Sequence, residues 1–314
     1  MSDAAAGKVA VMGAGAVGCF YGGMLARAGG QVTLIGRARH VDAVKANGLT
    51  LEMAGGREKI ALAASTEPSA VAGSRLVLFC VKSTATDEAA RAIAPHLASD
   101  AVILALQNGV DNVERLRAAV RQPVIPAVVY VGCAMAGPGH VKHNGRGDLV
   151  IGTDEAGAPA ALHARIAEIA AAFGAAGIPV RVSDNVLGEL WIKLAINCAY
   201  NALSALTRGR YGLLAEKAEA LRLQRDVVEE IEAVAAAKGV RLPDDALLET
   251  VYGVARAMPG QTSSTEQDIA RGQRTEIDHL NGYIVRTGEA LGVPTPVNRT
   301  LHALVKVLEG SRLP

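Results

Sequence analysis

Three polar side chains interrupt an apolar stretch in the second half of the chain. The stretch Leu190–Leu206 reads LWIKLAINCAYNALSAL, and Lys193, Asn197 and Asn201 occupy positions i, i+4 and i+8 within it. The stretch has neither proline nor glycine, so a helix is predicted, and this spacing puts the three side chains on one face. Buried lysines and amides need partners. We therefore expect this face, called the polar ridge below, to line a solvated cleft; a surface helix is the alternative.

A lysine ammonium in such a cleft is suited to one kind of chemistry. It can stabilise negative charge that develops on an oxygen in a transition state. It can also deliver a proton to that oxygen as a general acid. Which reaction it serves depends on the groups that the rest of the chain brings to the polar ridge.

A glycine-rich loop follows the first apolar run of the chain. Lys8–Met12 is predicted as a strand, the sequence GAGAVG follows it, and a helix is predicted to run from there to near Gly29. In this context Gly13 permits a tight turn, Gly15 lets the backbone approach a pyrophosphate, and Gly18 lets helix and strand pack closely. The N–H groups at the helix start favour phosphate. The residues predicted to bind a dinucleotide are Gly13, Ala14, Gly15, Ala16, Val17 and Gly18.

The end of the second predicted strand indicates which dinucleotide is bound. Gln31–Ile35 is followed by Arg37 and Arg39, where an NAD site usually carries an acidic residue for the ribose 2′-hydroxyl. Arginine cannot accept that hydrogen bond but pairs well with a 2′-phosphate. The pattern favours NADP(H) over NAD, with a solvated loop arginine as the alternative.

Polar residues follow two further predicted strands. Leu76–Val81 is an unbroken apolar run, typical of a central parallel strand, and Lys82 follows it. Asn108 comes shortly after the next predicted strand, Ala101–Leu106. Open α/β sheets bind ligands at the carboxyl ends of their strands, so Asn108 is a candidate to reach the nicotinamide or the reacting carbonyl. The alternatives are a solvated Lys82 and an Asn108 that only forms a turn.

The pattern changes near the middle of the chain. Further strands are predicted over Leu49–Met53, Lys59–Ala63 and Leu149–Gly152, whereas the periodicity from Asp184 onward is helical almost throughout. With 314 residues, two domains are expected. We therefore predict an α/β protein with a Rossmann-like dinucleotide-binding domain over residues 1–183 and an all-helical substrate domain over residues 184–314.

Two groups of residues resemble functional clusters only in composition. His140 and His143 lie in a Gly-rich connection that is predicted as a loop, and no third metal ligand is nearby. Glu229, Glu230 and Glu232 lie on a predicted helix, where adjacent side chains point in different directions. A solvated helix face is the better interpretation of these glutamates, and no metal site is predicted.

A second polar segment, Gln261–Tyr283, is a candidate to face the polar ridge. Ser263 or Ser264 can cap a helix, and the motif TEID is expected to bring a carboxylate onto that same helix. The chemistry of the residues does not decide between Glu276 and Asp278. Ordinary surface ion pairs are the alternative for this segment.

Composition excludes several classes of function. The net charge is +1, and no basic run is interleaved with aromatic residues, so nucleic acid is not an expected partner. No apolar stretch is long enough to cross a membrane, and the N-terminus does not read as a signal peptide. The four cysteines form no C-x-x-C pair and are expected to be reduced. A cytoplasmic protein is predicted.

Five motifs occur along nearly the whole chain in one order. They are GAGAVG, LVLFCVKS, ALQNGVDN, WxKLxxNxxxN, and SSxxQD followed by RTEIDxLNG. This set resembles the ketopantoate reductase (2-dehydropantoate 2-reductase) family. The resemblance implies a Rossmann domain joined to a helical domain, NADPH as hydride donor, and reduction of a 2-oxo acid to a 2-hydroxy acid. In the family this is reduction of ketopantoate to pantoate for pantothenate and coenzyme A synthesis.

The resemblance also implies roles for individual residues. Lys193 matches the lysine that polarises the ketone and donates the proton, and Glu276 matches the carboxylate that positions lysine and substrate. The residues implied to bind the substrate are Asn108, Asn197, Asn201 and Ser264. Those implied to lie at the cofactor, besides the glycine loop, are Arg37, Lys82, Asn108 and Glu276.

The chain departs from the family's pattern at two places. Thr265 and Glu266 stand where Met-Leu is common, and Gln261 stands where an asparagine can face the substrate. These departures keep a different 2-oxo acid open as the substrate. A non-catalytic NADP-binding sensor is the alternative of another class, and the intact pair of Lys193 and Glu276 argues against it. The resemblance further implies a homodimer formed through the helical domain.

Overall fold

The computed structural model describes residues 7–155, 157–243 and 246–312. The first six residues, on which the expectation of no signal peptide partly rests, lie outside the described residues. The chain forms two compact units. The first, called the α/β unit, extends to Val186 but excludes Gly109–Asp111. The second, called the helical unit, consists of Gly109–Asp111 and the chain from Leu187 onward.

Ten strands in the described residues form one sheet of the α/β unit. They are β1 (Val9–Met12), β2 (Val32–Ile35), β3 (Leu49–Met53), β4 (Gly56–Ile60), β5 (Ala63–Ser65), β6 (Leu76–Phe79), β7 (Val102–Ala105), β8 (Val124–Gly137), β9 (His140–Ile151) and β10 (Val180–Val182). Their order is β4-β3-β9-β8-β7-β6-β1-β2-β5, with β10 beside β9. Across the sheet, the six neighbouring strands β5, β2, β1, β6, β7 and β8 pair in parallel. The pairs β8–β9 and β3–β4 are antiparallel.

The central parallel strands β1, β6 and β7 are buried on both faces, as expected from their uninterrupted apolar sequences. In β1, Val9 and Val11 join one hydrophobic cluster while Ala10 joins the other. Helices cover these faces: α1 (Ala16–Arg27), α2 (Ala38–Asn47), α3 (Thr86–Ile93), α4 (Asn112–Arg117) and α5 (Ala160–Ala175). In open α/β sheets of this kind, ligands bind beside the carboxyl ends of the parallel strands.

The helical unit is built around the helix that carries the polar ridge. Its helices are α6 (Val186–Thr207), α7 (Tyr211–Ala215), α8 (Ala218–Ala237), α9 (Leu247–Ala257), α10 (Ser264–Ala270), α11 (Asn281–Leu291) and α12 (Pro296–Arg312). The apolar side of α6 is buried in one cluster, in which the fully buried Trp191 packs edge-on against Tyr283. The α/β fold class with a helical second part is confirmed.

Three local predictions are wrong. The predicted strand Lys59–Ala63 is divided between the ends of β4 and β5. The connection that holds His140 and His143 is not a loop but the first part of β9. There β8 pairs with it on one side and β3 on the other, and this pairing outweighs the weak β-propensity of its glycines and polar residues.

The third correction concerns the glutamates of α8. Glu230 does not lie on a solvated face, because its carboxylate accepts hydrogen bonds from the backbone N–H groups of Val297 (2.7 Å) and Asn298 (2.9 Å). These are N–H groups of the first turn of α12, which have no acceptor within their own helix. Glu230 therefore caps α12 and ties it to α8.

None of the helices in the described ranges combines the length and the apolar character needed to cross a bilayer. Within the same ranges, no three His, Cys, Asp or Glu side chains are grouped so that they could hold a metal ion.

Candidate active site

Neighbouring atoms of the chain leave no room for a side chain at two glycines, Gly13 in the loop after β1 and Gly18 in the first turn of α1. Gly13 has a φ of +113°, and a Cβ there would lie 2.7 Å from the backbone of Cys80. A Cβ on Gly18 would overlap the carbonyl oxygen of Gly13 and lie 2.8 Å from the side chain of Val11. These positions let the loop turn tightly and let α1 pack on β1.

The remaining glycine of the loop, Gly15, has a different environment. Gly15 is exposed, and a Cβ placed on it would meet no atom of the described chain within 4 Å. It directly precedes Ala16, the first residue of α1, where the N–H groups of the first turn lack intrahelical acceptors and the helix dipole is positive. A side chain would fill the space in front of these N–H groups. The loop therefore fits a dinucleotide pyrophosphate.

The other loop residues hold this geometry in place. Ala14 is buried, and its N–H donates to the carbonyl oxygen of Ile35 at 3.0 Å, which ties the loop to the end of β2. Ala16 and Val17 are partly buried in the first turn of α1. The backbone of the loop is thus presented by two adjacent strands and one helix.

Arg37 lies where the sequence predicts the 2′-phosphate partner. It is exposed, and it is the N-cap residue of α2, two residues after the end of β2. The region is cationic: burial, and then the charges of Arg37 and Arg39, lower the pKa of His40 below its ordinary value. A phosphate dianion would be stabilised in such a field.

Lys82 and Asn108 lie at the carboxyl ends of neighbouring parallel strands, β6 and β7. The backbone of Asn108 is fixed, because its carbonyl oxygen accepts hydrogen bonds from Ser83 Oγ (2.9 Å) and Asn112 Nδ2 (2.7 Å). Gly109 follows with a φ of +92°, so the chain also turns there. The structure therefore brings both predicted residues to one edge of the sheet.

The polar ridge lies on α6, as predicted. Lys193 and Asn197 are partly buried, and Asn201 is almost fully buried. Asn201 Nδ2 donates to Ser264 Oγ at 3.4 Å, and Ser263 Oγ donates to the carbonyl oxygen of Asn201 at 3.2 Å. The pair of serines predicted to face the ridge thus contacts its far end.

Ser263 confirms the predicted helix cap. Its side chain accepts a hydrogen bond from the N–H of Glu266 at 3.0 Å, at the start of α10. This N-cap, together with the contact to Asn201, sets the direction in which α10 leaves the ridge.

The expectation that Glu276 lies on the same helix as these serines is wrong. α10 ends at Ala270, because Gly272 (φ +62°) turns the chain there. The N–H of Gln273 donates a hydrogen bond to the carbonyl oxygen of Asp268 and closes the turn. Glu276 lies beyond this turn, partly buried, directly before the short 3₁₀ turn Ile277–His279.

Asp278, one of the two carboxylates between which residue chemistry does not decide, has partners on α12. Asp278 accepts hydrogen bonds from His302 Nε2 (2.7 Å) and Lys306 Nζ (2.9 Å), both on α12. The hydrogen bond from His302, and then the bond and charge of Lys306, hold the pKa of Asp278 well below its ordinary value. Asp278 is therefore part of an ion-pair cluster of the scaffold, and Glu276 stays the candidate for chemistry that the family resemblance implies.

Sequence reasoning missed the residues that hold the Glu276 segment. Thr275 N and Thr275 Oγ1 both donate to Glu309 Oε1 at 2.7 Å, and Lys306 Nζ lies 2.8 Å from Glu309 Oε2. The one available signal was a carboxylate in the last turns of the terminal helix, where the helix dipole disfavours negative charge.

Comparison with known proteins identifies the family. The model of the family "Ketopantoate reductase PanE/ApbA" matches residues 9–155, and that of its C-terminal domain matches residues 185–309. A 2-dehydropantoate 2-reductase of Pyrococcus horikoshii is 32% identical over 96% of this chain and 97% of its own length. One of Halobacterium salinarum is 34% identical over 96% of this chain and 99% of its own length.

Solved structures agree with this assignment. A PanE/ApbA family ketopantoate reductase from Ralstonia eutropha JMP134 is 56% identical, with a TM-score of 0.90, and the match covers 97% of this chain and 99% of that one. D-mandelate dehydrogenase, in a ternary structure with NADH and anilino(oxo)acetate, also has a TM-score of 0.90, at 27% identity over 97% of this chain and 99% of that one. The family matches cover most of this chain, and the protein therefore belongs to the ketopantoate reductase family of oxidoreductases.

Proposed function

We propose that this protein reduces ketopantoate to pantoate with NADPH. The observation that carries the proposal is the polar ridge, where Lys193, Asn197 and Asn201 share one face of α6 and Ser264 is hydrogen-bonded to the ridge. The family to which the chain belongs supports the same reaction, since its curated relatives are 2-dehydropantoate 2-reductases.

In this proposal the α/β unit binds the cofactor, which supplies the hydride when bound. The backbone from Gly13 to Gly18 holds the pyrophosphate, with the open space at Gly15 left for its approach. Arg37 pairs with the 2′-phosphate and selects NADPH over NADH. Lys82 and Asn108, at the strand ends, contact the rest of the dinucleotide, and Asn108 also contacts the substrate.

The helical unit supplies the groups that act on the substrate. Asn197, Asn201 and Ser264 offer hydrogen bonds to the carboxylate and hydroxyl groups of a 2-oxo acid. Negative charge builds on the ketone oxygen as the carbonyl carbon is reduced, so the ammonium of Lys193 stabilises the transition state more than the ground state. Lys193 then donates its proton to that oxygen, and Glu276 orients the lysine and the substrate.

The direct test is NADPH oxidation at neutral pH with ketopantoate, with pyruvate and 2-oxoisovalerate in parallel. Efficient turnover of ketopantoate and slow turnover of the other two acids is the expected result. Turnover of another acid alone would keep the mechanism and change the substrate. No turnover with any of the three, despite tight NADPH binding, would favour either a 2-oxo acid outside this set or the non-catalytic sensor.

A second candidate is reduction of an aryl 2-oxo acid. The fold match to D-mandelate dehydrogenase is as good by TM-score as the match to the Ralstonia reductase, and Thr265, which departs from the common family pattern, is buried beside Ser264. Phenylglyoxylate in the same assay, with NADH as well as NADPH, tests this candidate. A higher kcat/KM for phenylglyoxylate than for ketopantoate would replace the first proposal.

The assembly and location of the protein are part of the same proposal. We infer a cytoplasmic homodimer formed through the helical domain, with residues 1–183 as the cofactor-binding domain and residues 184–314 as the substrate domain. The family resemblance supports this assignment. Light scattering on the purified protein tests the dimer.

A further inference from the structure

The segment that contains Glu276 is held on both sides by one hydroxyl group and one carboxylate. Glu309 Oε1 accepts hydrogen bonds from both N and Oγ1 of Thr275, each at 2.7 Å. The same Thr275 Oγ1 accepts a hydrogen bond from the N–H of Ile277 at 3.2 Å. The backbone immediately before Glu276 and the backbone immediately after it are therefore fixed to one point on α12.

Glu309 occupies a position that is unfavourable for a carboxylate unless specific partners compensate the cost. Its residue is only 4% exposed, and it lies near the C-terminal end of α12, where the helix dipole repels negative charge. Burial alone would raise the pKa of Glu309, yet hydrogen bonds from Lys306 and Thr275 bring that pKa below its ordinary value. The carboxylate is thus charged, and its buried oxygen is committed to Thr275.

The residues after Glu276 are held in the same way. Asp278 is bonded to His302 and Lys306 of α12, and His279 Nδ1 lies 2.8 Å from Asp111 Oδ2. The segment has little regular secondary structure of its own, so these side-chain contacts, rather than a helix, determine where Glu276 is presented.

We propose that Glu309 is a positioning residue, which acts through Thr275 to hold the backbone of Glu276 in the orientation that catalysis requires. The inference rests on the proposed role of Glu276 in ketoacid reduction. Its physical basis is that a buried, fully bonded carboxylate is rigid, and that a misplacement of about 1 Å at a reacting group can lower a rate by about 10²-fold.

The test compares two variants that differ in one hydroxyl group. Thr275→Val keeps the shape of the side chain but removes the oxygen that joins Glu309 to the N–H of Ile277, whereas Thr275→Ser keeps that oxygen. Each is made in the full-length enzyme and again in a Glu276→Gln background, with kcat and KM measured for NADPH and ketopantoate. Circular dichroism at increasing temperature checks that every variant is folded.

We expect Thr275→Val to lower kcat by about tenfold or more, with KM for NADPH unchanged, and Thr275→Ser to stay within about twofold of the wild type. In the Glu276→Gln background, Thr275→Val should have little further effect, because the group that Thr275 positions is already lost. Equal effects of Thr275→Val in both backgrounds would overturn the positioning role and leave the proposed function intact.

A second measurement does not depend on turnover. Amide hydrogen exchange over residues 274–280 should accelerate in Thr275→Val and in Glu309→Gln but not in Thr275→Ser. Unchanged exchange in both variants would overturn the inference even in an active enzyme. A wild-type protein that reduces no 2-oxo acid would instead refute the proposed function, and exchange would still decide whether Glu309 orders the segment.

Discussion

The proposed function gives the glycine loop and the polar ridge different means of binding ligands. The loop, Gly13–Gly18, joins β1 to the first turn of α1 and would bind through backbone groups. The polar ridge would bind through side chains of α6, with Ser264 of α10 bonded to it, and contacts from α12 hold the Glu276 segment that would act with it. The loop therefore depends on the absence of side chains, and the ridge depends on their exact identity.

This difference determines what a substitution does in each region. In the loop, adding one carbon atom disturbs either the fold or the approach of a ligand, depending on which glycine is changed. On the ridge, removing a charged or polar group should leave α6 intact and remove the proposed chemistry. Four predictions test this contrast, in order of decreasing effect.

The largest effect is expected on the ridge. Lys193→Ala should lower kcat by about 10³-fold, because the general acid and the positive charge at the ketone oxygen are both lost. Affinity for NADPH, measured by titration, should stay within about twofold because the loop is untouched. Lys217→Ala, which changes an exposed lysine at the start of α8, is the matched control and should retain full activity. Near-normal kcat in Lys193→Ala would remove the role assigned to this lysine.

The second effect concerns cofactor choice. Arg37→Asp should weaken NADPH binding by about 10²-fold, close to 2.7 kcal/mol, while NADH binding changes by less than about threefold. The reason is that only NADPH carries the phosphate that the arginine would face. Arg91→Asp, at an exposed position on α3, controls for the change in net charge. Equal weakening of both cofactors would contradict the assignment.

The third prediction contrasts two glycines of the loop, Gly15 and Gly18. Gly15→Ala should lower the free energy of unfolding by no more than about 1 kcal/mol, the loss expected at a helix N-cap, but weaken NADPH binding about tenfold, since its Cβ enters open space where a ligand would lie. Gly18→Ala should lower stability by about 2 kcal/mol or more, because its Cβ overlaps the Gly13 carbonyl. Urea unfolding and NADPH titration measure both quantities. A Gly15→Ala variant as destabilised as Gly18→Ala would mean that the loop is packed rather than open.

The smallest effect concerns the ion-pair cluster on α12. The folded-state pKa of Asp278 lies below its ordinary value of 3.8, so its stabilisation is present above that pH and is lost as the pH falls through the lower folded-state value. Asp278→Asn should therefore cost about 1 kcal/mol at pH 6 and progressively less in acid. Asp226→Asn, at an exposed site on α8, is the control. A stability difference that persists unchanged at pH 2 would contradict this mechanism.

Sequence predicted the parts of the molecule that local chemistry determines. The strand, loop and helix around Gly13 follow from glycine spacing and apolar runs, and α6 follows from a long stretch without helix breakers. The parallel strands β6 and β7 also lie where their apolar sequences indicate.

The missed parts depend on contacts between distant segments. β9 is a strand because β8 and β3 pair with it, although its own sequence has the glycines and polar residues of a loop. The chain turns out of the predicted helix at Gly272, before it reaches Glu276. The position of Glu276 depends instead on Thr275 and Glu309, which are 34 residues apart in the chain. No periodicity in the sequence encodes such a pairing.

The packing of Trp191 has a practical consequence. It is the single tryptophan of the chain, it is fully buried on α6 two residues before Lys193, and its indole N–H has no hydrogen-bond partner among the described residues. Its fluorescence should therefore be blue-shifted in the native protein and should report on the helical unit alone. Emission at increasing urea, set against NADPH binding, would separate unfolding of the helical unit from unfolding of the α/β unit, which is proposed to bind the cofactor, without adding a label.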